Sequence, residues 1–249
     1  MRHTMWPGLL NELKSNVNRQ QTRVRLFETG LCFKVGSDAD KLSQDPMFSG
    51  VICGDVNHEQ WSEQSRKVDF FDVKSDVEAL LSFSAAESTF EAASHPALHP
   101  GQSACIKQNG ELIGWIGALH PEVQKALDID QRVFVFEFKQ SAVEQNSIAA
   151  FTPLSRFPEV RRDLAILVDE QTPVGEIMSV IETTSSSLVK ETQLFDIYQG
   201  KGVPEGRKSV AFGLILQEFS RTLTDIEVDA EIENIVSTLN QKFAATLRE

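Results

Sequence analysis

The chain has 249 residues, 41% of them hydrophobic, enough for one or two domains with cores that need neither disulfides nor metals. Its 36 acidic residues against 24 basic ones give a net charge of -12, which argues against a free nucleic-acid binder and leaves any RNA contact to local basic clusters. No apolar run reaches the roughly 18 residues of a membrane span, the opening MRHTMWPGLLNELKSN lacks the apolar core and cleavage site of a signal peptide, and the dispersed Cys32, Cys53 and Cys105 fit a reducing cytoplasm better than a disulfide framework or zinc ribbon.

In chain order, Leu9, Leu10, Leu13 and Val17 recur at helical spacing after a Pro7-Gly8 turn. Strands follow at 23–35 and 47–56, then a helix over 70–83 with Val73, Val77, Leu80 and Leu81 on one face. Two further strands, SACIKQNG and ELIGWIGALH, meet at Asn109-Gly110, a strong hairpin signal. PEVQKALDI reads as a short helix. RVFVFEFK reads as a strand, with Val133, Val135 and Glu137 on one face and Phe134, Phe136 and Phe138 on the other. Residues 139–155 are polar and small, end near Pro153, and read as a linker. The expected domains are therefore 1–145 and 152–249.

The second domain predicts a strand at 160–169, then a helix opened by Thr172-Pro173 and lined by Val174, Ile177, Met178 and Ile181. Strands at 188–200 and 207–219 flank the turn KGVPEG. A capping box from Thr224 to Glu227 starts the next helix, lined by Val228, Ile232, Ile235, Val236 and Leu239, and AATLR closes as a short strand. The order βαββαβ is the ferredoxin-like split motif, and the fold class is α+β.

Several chemical motifs fail on spacing. In YQGKGVPEGRKS, Gly200 and Gly206 are too far apart for a phosphate-binding loop, and the segment joins two strands instead of opening a helix. Gly114 and Gly117 suit close strand packing, not a dinucleotide fingerprint. His95 and His99 have metal-ligand spacing, but Pro96 and Pro100 disfavour a helix there, so they read as surface-loop residues. Asp225, Glu227, Asp229, Glu231 and Glu233 read as the solvated side of the last helix. No catalytic or metal-binding residue is assigned.

What remains is two basic clusters. Arg156, Arg161 and Arg162 stand at the entrance to the first strand of the second domain; Lys201, Arg207 and Lys208 surround the hairpin before the third. Those two strands are central neighbours in such a sheet, so the clusters are expected to converge and contact phosphates. Phe195 and Tyr198 lie on the second strand, on opposite faces if it is regular, and the one on the open face is a candidate for base stacking. The competing reading makes Phe195 core and pairs the arginines with Asp163, Glu159 or Asp196.

FPEVRRDLAILVD, LFDIYQGKGVPEGRKSVAFGLILQ and RTLTDIEVDAEIENIV together resemble the anticodon-binding ferredoxin-like domain of the bacterial phenylalanyl-tRNA synthetase β subunit. MRHTMWPGLLNELKSNVNRQ, LFETGLCF, DFFDVKSDVEALL, HPALHPGQSA, IGWIGALHP and VFEF resemble that subunit's catalytic-like domain, in order and at suitable spacing. The resemblance implies an antiparallel class II synthetase-like but non-catalytic domain followed by the ferredoxin-like one. It implies an (αβ)2 enzyme whose α subunit uses ATP and Mg2+ to charge tRNA-Phe, with no cofactor on this chain. The partners implied are the α subunit and tRNA-Phe, with no DNA and no membrane, in the cytoplasm. Arg156, Arg161, Arg162, Lys201, Arg207 and Lys208 become candidates for RNA backbone contact, Tyr198 and Phe195 for stacking, and Asp163 for positioning the arginines. The family's subunit is much longer, so the chain reads as a fragment lacking the family's tRNA-binding-like, editing and DNA-binding-like modules. Uncovered apolar surface and self-association are expected of it.

Two alternatives share the βαββαβ order. An RRM-type module carries exposed aromatics on both central strands, and DLAILV has none. A ferredoxin-like small-molecule regulatory domain is compatible with the fold alone.

Overall fold

Pro7 stands in the first turn of α1 (Trp6–Asn18), where its missing N–H costs nothing. The helix lacks a side-chain cap of its own. Glu137, distant in sequence, supplies one: its carboxylate accepts the Met5 N–H at 2.8 Å and the Thr4 hydroxyl at 3.1 Å. The structure, a computed structural model, describes residues 1–35, 42–144, 151 and 153–248, which fall into two compact units, Met1–Ala149 and Ala150–Glu249.

The first unit is a six-stranded antiparallel sheet with a helix on each face. Its strands are β1 (Val24–Val35), β2 (Leu42–Cys53), β3 (Ser88–Ala92), β4 (Leu98–Gln108), β5 (Glu111–Leu119) and β6 (Val133–Lys139), in the order β1-β2-β6-β5-β4-β3. Asn109 and Gly110 both take positive φ, 51° and 82°, and form the two-residue hairpin between β4 and β5. α2 (Phe70–Leu81) starts at a capping box of Asp69 and Asp72, with Arg66 forked onto Asp72 at 2.7 Å. α3 (Pro121–Ala126) is a single short turn after β5.

Strand alternation divides the core as the sequence predicts. Val133 and Val135 face α1 with Trp6, Leu10 and Leu13, while Phe134, Phe136 and Phe138 face α2 with Val73, Val77 and Leu81. Phe48 stacks 5.4 Å from Phe138. A Cβ on Gly114 would collide with the main-chain oxygen of Glu137, which is why that position is glycine.

In this unit expectations change in three places. β3 was not anticipated, because five residues with an exposed acid and no turn residues beside them give little strand signal. The start of the expected 139–155 linker belongs to the first unit: Lys139 ends β6, and Gln140–Val143 form a 3-10 turn with Ala142 buried. Residues 145–150 and 152 of that linker lie outside the described residues. His95 does lie in a loop but is half-buried, its ring packed between Trp6 and Trp115 at 5.2 and 5.0 Å, whereas His99 belongs to β4.

The second unit contains β7 (Val160–Asp169), α4 (Val174–Thr184), β8 (Val189–Tyr198), β9 (Arg207–Leu216), α5 (Asp225–Phe243) and β10 (Thr246–Leu247), in the sheet order β10-β7-β9-β8. Both helices cover one face, where Ile166, Val168, Val210, Phe212 and Leu214 meet Ile177, Ile181, Val228, Ile235 and Leu239. Thr224 and Glu227 form the expected capping box of α5. Thr172 does not cap α4; Pro173 occupies the cap position, with no side-chain hydrogen bond. Glu231 is buried, against the expectation of a solvated acidic face, because its carboxylate accepts the Ser186 N–H at 2.7 Å.

Candidate nucleic-acid interface

Both helices of the second unit lie on one face of its sheet. The residues that alternate with the core therefore form an open face: Arg161, Asp163 and Ala165 on β7, Ala211, Gly213 and Ile215 on β9. The small residues leave room above the centre of the sheet. A Cβ on Gly213 would stand 3.0 Å from both the guanidinium of Arg161 and the carboxylate of Asp163, so the absence of a side chain there lets this pair lie across β9. Arg161 donates to Asp163 at 2.7 Å, and both side chains stay about half exposed.

β8 completes the face by an irregularity. Leu194 pairs with Phe212 and Asp196 with Ala211, so Phe195 is the extra residue of a bulge. A regular strand would separate Phe195 and Tyr198 onto opposite faces. The bulge turns both toward the open one, and neither belongs to the core, with exposures of 52% and 37%. The Arg161 guanidinium sits 5.7 Å from the Phe195 ring centroid, and Arg248, just after β10, sits 5.3 Å from that of Tyr198. The Tyr198 hydroxyl donates to the Lys201 carbonyl at 3.2 Å, which ties the ring to the β8–β9 turn. Two planar cation–aromatic pairs thus stand on one helix-free surface, a form suited to unstacked nucleobases.

The basic residues do not all join it. β7 and β9 are neighbours but antiparallel: Arg161 pairs with Ile215, and Lys208 with Val168. The two clusters are therefore about seven residues, or roughly 23 Å, apart along the sheet. The expected convergence fails because adjacency in an antiparallel sheet brings the start of one strand to the end of the next. Arg162 points to the other face, 3.3 Å from Asp225 in the first turn of α5. Arg207 donates to the main-chain oxygens of Leu167 and, at 3.0 Å, of Ala244, the left-handed residue that ends α5. Lys208 donates to the Glu170 oxygen at 2.9 Å. Arg156 and Lys201 are exposed and have no side-chain partner among the described residues.

Arg248 lies outside both basic clusters, so charge density in the sequence does not single it out. The signal for it was its register, since the residue after Leu247, which pairs with Ile166, returns to the open face. Asp196, which the sequence offers only as a possible arginine partner, stands exposed on the same face between Phe195 and Tyr198. The aromatics come from the edge strand β8, and none comes from β7, unlike an RRM.

Comparison with known proteins adds a family. A model described as the phenylalanyl tRNA synthetase beta chain CLM domain matches residues 1–140, and one described as the ferredoxin-fold anticodon binding domain matches residues 155–248. The chain is 49% identical to the phenylalanine–tRNA ligase beta subunit of Pseudomonas fluorescens Pf-5, 47% to that of Methylococcus capsulatus and 45% to that of Coxiella burnetii. Each alignment covers 100% of this chain and 31% of the relative, so the chain spans about a third of the length of these relatives.

Proposed function

The chain belongs to the phenylalanyl-tRNA synthetase β-chain family, and from that premise we propose that it is the non-catalytic, tRNA-holding portion of a phenylalanine–tRNA ligase. Its second domain, residues 152–249, takes the anticodon stem and loop of tRNA-Phe on the open face of the sheet. Its first, residues 1–145, is a class II synthetase-like domain that supports a catalytic α subunit. ATP and Mg2+ are used on that subunit, and no catalytic residue is assigned to this chain. The setting is the cytoplasm.

The observation that carries the RNA assignment is the pair of guanidinium–aromatic contacts, Arg161 on Phe195 and Arg248 on Tyr198, over a floor of alanine and glycine. Phe195 and Tyr198 stack bases, Asp163 holds Arg161 over the sheet, and Arg156 and Lys201 reach phosphates. Arg162, Arg207 and Lys208 act mainly on the protein itself, at α5 and at main-chain carbonyls.

The test is tRNA-Phe affinity at fixed salt, for natural and anticodon-substituted tRNA, with Phe195→Ala and Tyr198→Ala. Loss of a stacked base costs about 1–3 kcal/mol, so each variant should weaken binding by that amount and blunt discrimination among anticodon bases. Undiminished affinity and discrimination in both would remove the open face from the assignment.

A further inference from the structure

We propose that the first unit carries a binding site for a small organic cation, a primary ammonium on a flat apolar body, in the cleft between the start of α1 and the α1-facing side of the sheet. The cleft encloses about 390 Å³, a volume suited to a small ligand. Trp6, Trp115 and His95 form an aromatic wall, and Met47 and Ile113 add apolar surface. Glu137 lines the same space and brings it a carboxylate.

Glu137 is the one carboxylate among the described residues that line the cleft. Both hydrogen bonds to the Glu137 carboxylate, from Met5 and Thr4, fall on Oε2, which leaves Oε1 without a hydrogen-bond partner among the described residues. Burial raises the Glu137 pKa in spite of the Met5 and Thr4 hydrogen bonds and of Lys34 and Arg2, and a ligand ammonium would offset that cost of burying the carboxylate. Burial disfavours a positive charge on His95 by lowering its pKa, and its Nδ1 accepts the Ala97 N–H at 3.2 Å, which leaves Nε2 to carry the proton of the neutral ring. Two lysines, Lys34 and Lys139, border the cleft, and Lys34 is paired with Asp45 at 3.4 Å. Indole faces beside a carboxylate recognise ammonium groups by combined cation–π and ionic attraction. The site does not depend on the RNA-binding reading of the second unit.

Trp6 and Trp115 report on the cleft directly, and the third tryptophan, Trp61, is 98% exposed, so a Trp61→Phe chain makes fluorescence specific to it. Titration with 2-phenylethylamine should give a saturable change at millimolar or lower concentration. The neutral 2-phenylethanol and the anionic 3-phenylpropanoate should bind at least about tenfold more weakly, the discrimination of one ionic contact. Glu137→Gln keeps an oxygen to accept from Met5 and Thr4 and should lose that preference with an unchanged melting temperature. Leu112→Lys adds a cation at an exposed position of the cleft and should weaken the amine alone. Equal binding of the three ligands, retention of the amine preference in both variants, or no saturable signal would overturn the proposal. Since the RNA test uses other residues and another readout, either reading can fail alone.

Discussion

Strand alternation sends Arg161 across Gly213 on the open face and Arg162 toward Asp225 on the helix face, although the two are consecutive. Substituting each by alanine therefore separates RNA contact from support of the fold. Arg161→Ala should weaken tRNA-Phe binding and lower the slope of log affinity against log salt by roughly 1, with little change in melting temperature. Arg162→Ala should leave that slope unchanged and shift stability by less than about 1 kcal/mol, since a surface ion pair contributes no more. Titrating salt with both variants checks the pair, and identical slopes would refute the division of faces. The basic character of this stretch was legible in the sequence; the facing of each arginine followed only from register.

At the scale of elements, α5 begins in a reciprocal cap. The Thr224 hydroxyl accepts from the Glu227 N–H, and the Glu227 carboxylate accepts from the Thr224 N–H at 3.0 Å. Thr224→Ala should cost about 1 kcal/mol of stability, the usual worth of such a cap, read by thermal unfolding. The Arg221 guanidinium, bonded to Glu227, and the Thr224 donors hold the Glu227 carboxyl well below the ordinary range. A folded pKa below the unfolded one stabilises above the unfolded value, near 4.3, and that contribution fades as pH falls below it. Glu227→Gln should therefore flatten the acid side of the stability–pH curve while shifting the neutral side; a parallel displacement at all pH values would contradict this. The Thr224–Glu227 spacing made this cap readable in sequence. The cap of α1 was not readable, because its carboxylate, Glu137, comes from a strand more than 130 residues away.

For the molecule as a whole, the α2 side of the first sheet leaves large apolar groups in water: Phe27 is 72% exposed, Leu31 41% and Leu42 44%. A monomeric surface seldom keeps such residues together. Light scattering of the chain alone should show concentration-dependent association, relieved by Phe27→Ser or by a copurified α subunit. A monomer unaffected by concentration would argue against a partner on that face. The net charge of -12 adds long-range repulsion toward RNA, which concentrates binding in the few cations of the open face. The sequence by itself determined what depends on neighbours in the chain: the βαββαβ order, the Asn109-Gly110 turn, the alternation of valines and phenylalanines on β6, and the family segments. Tertiary structure decided what depends on pairing across the chain. The antiparallel register of β7 and β9 parted the two basic clusters, the bulge at Phe195 brought two aromatics to one face, and packing closed Trp6, His95 and Trp115 around Glu137. A local pattern fixes which side of its own strand a residue takes; only the partner strand fixes what stands opposite.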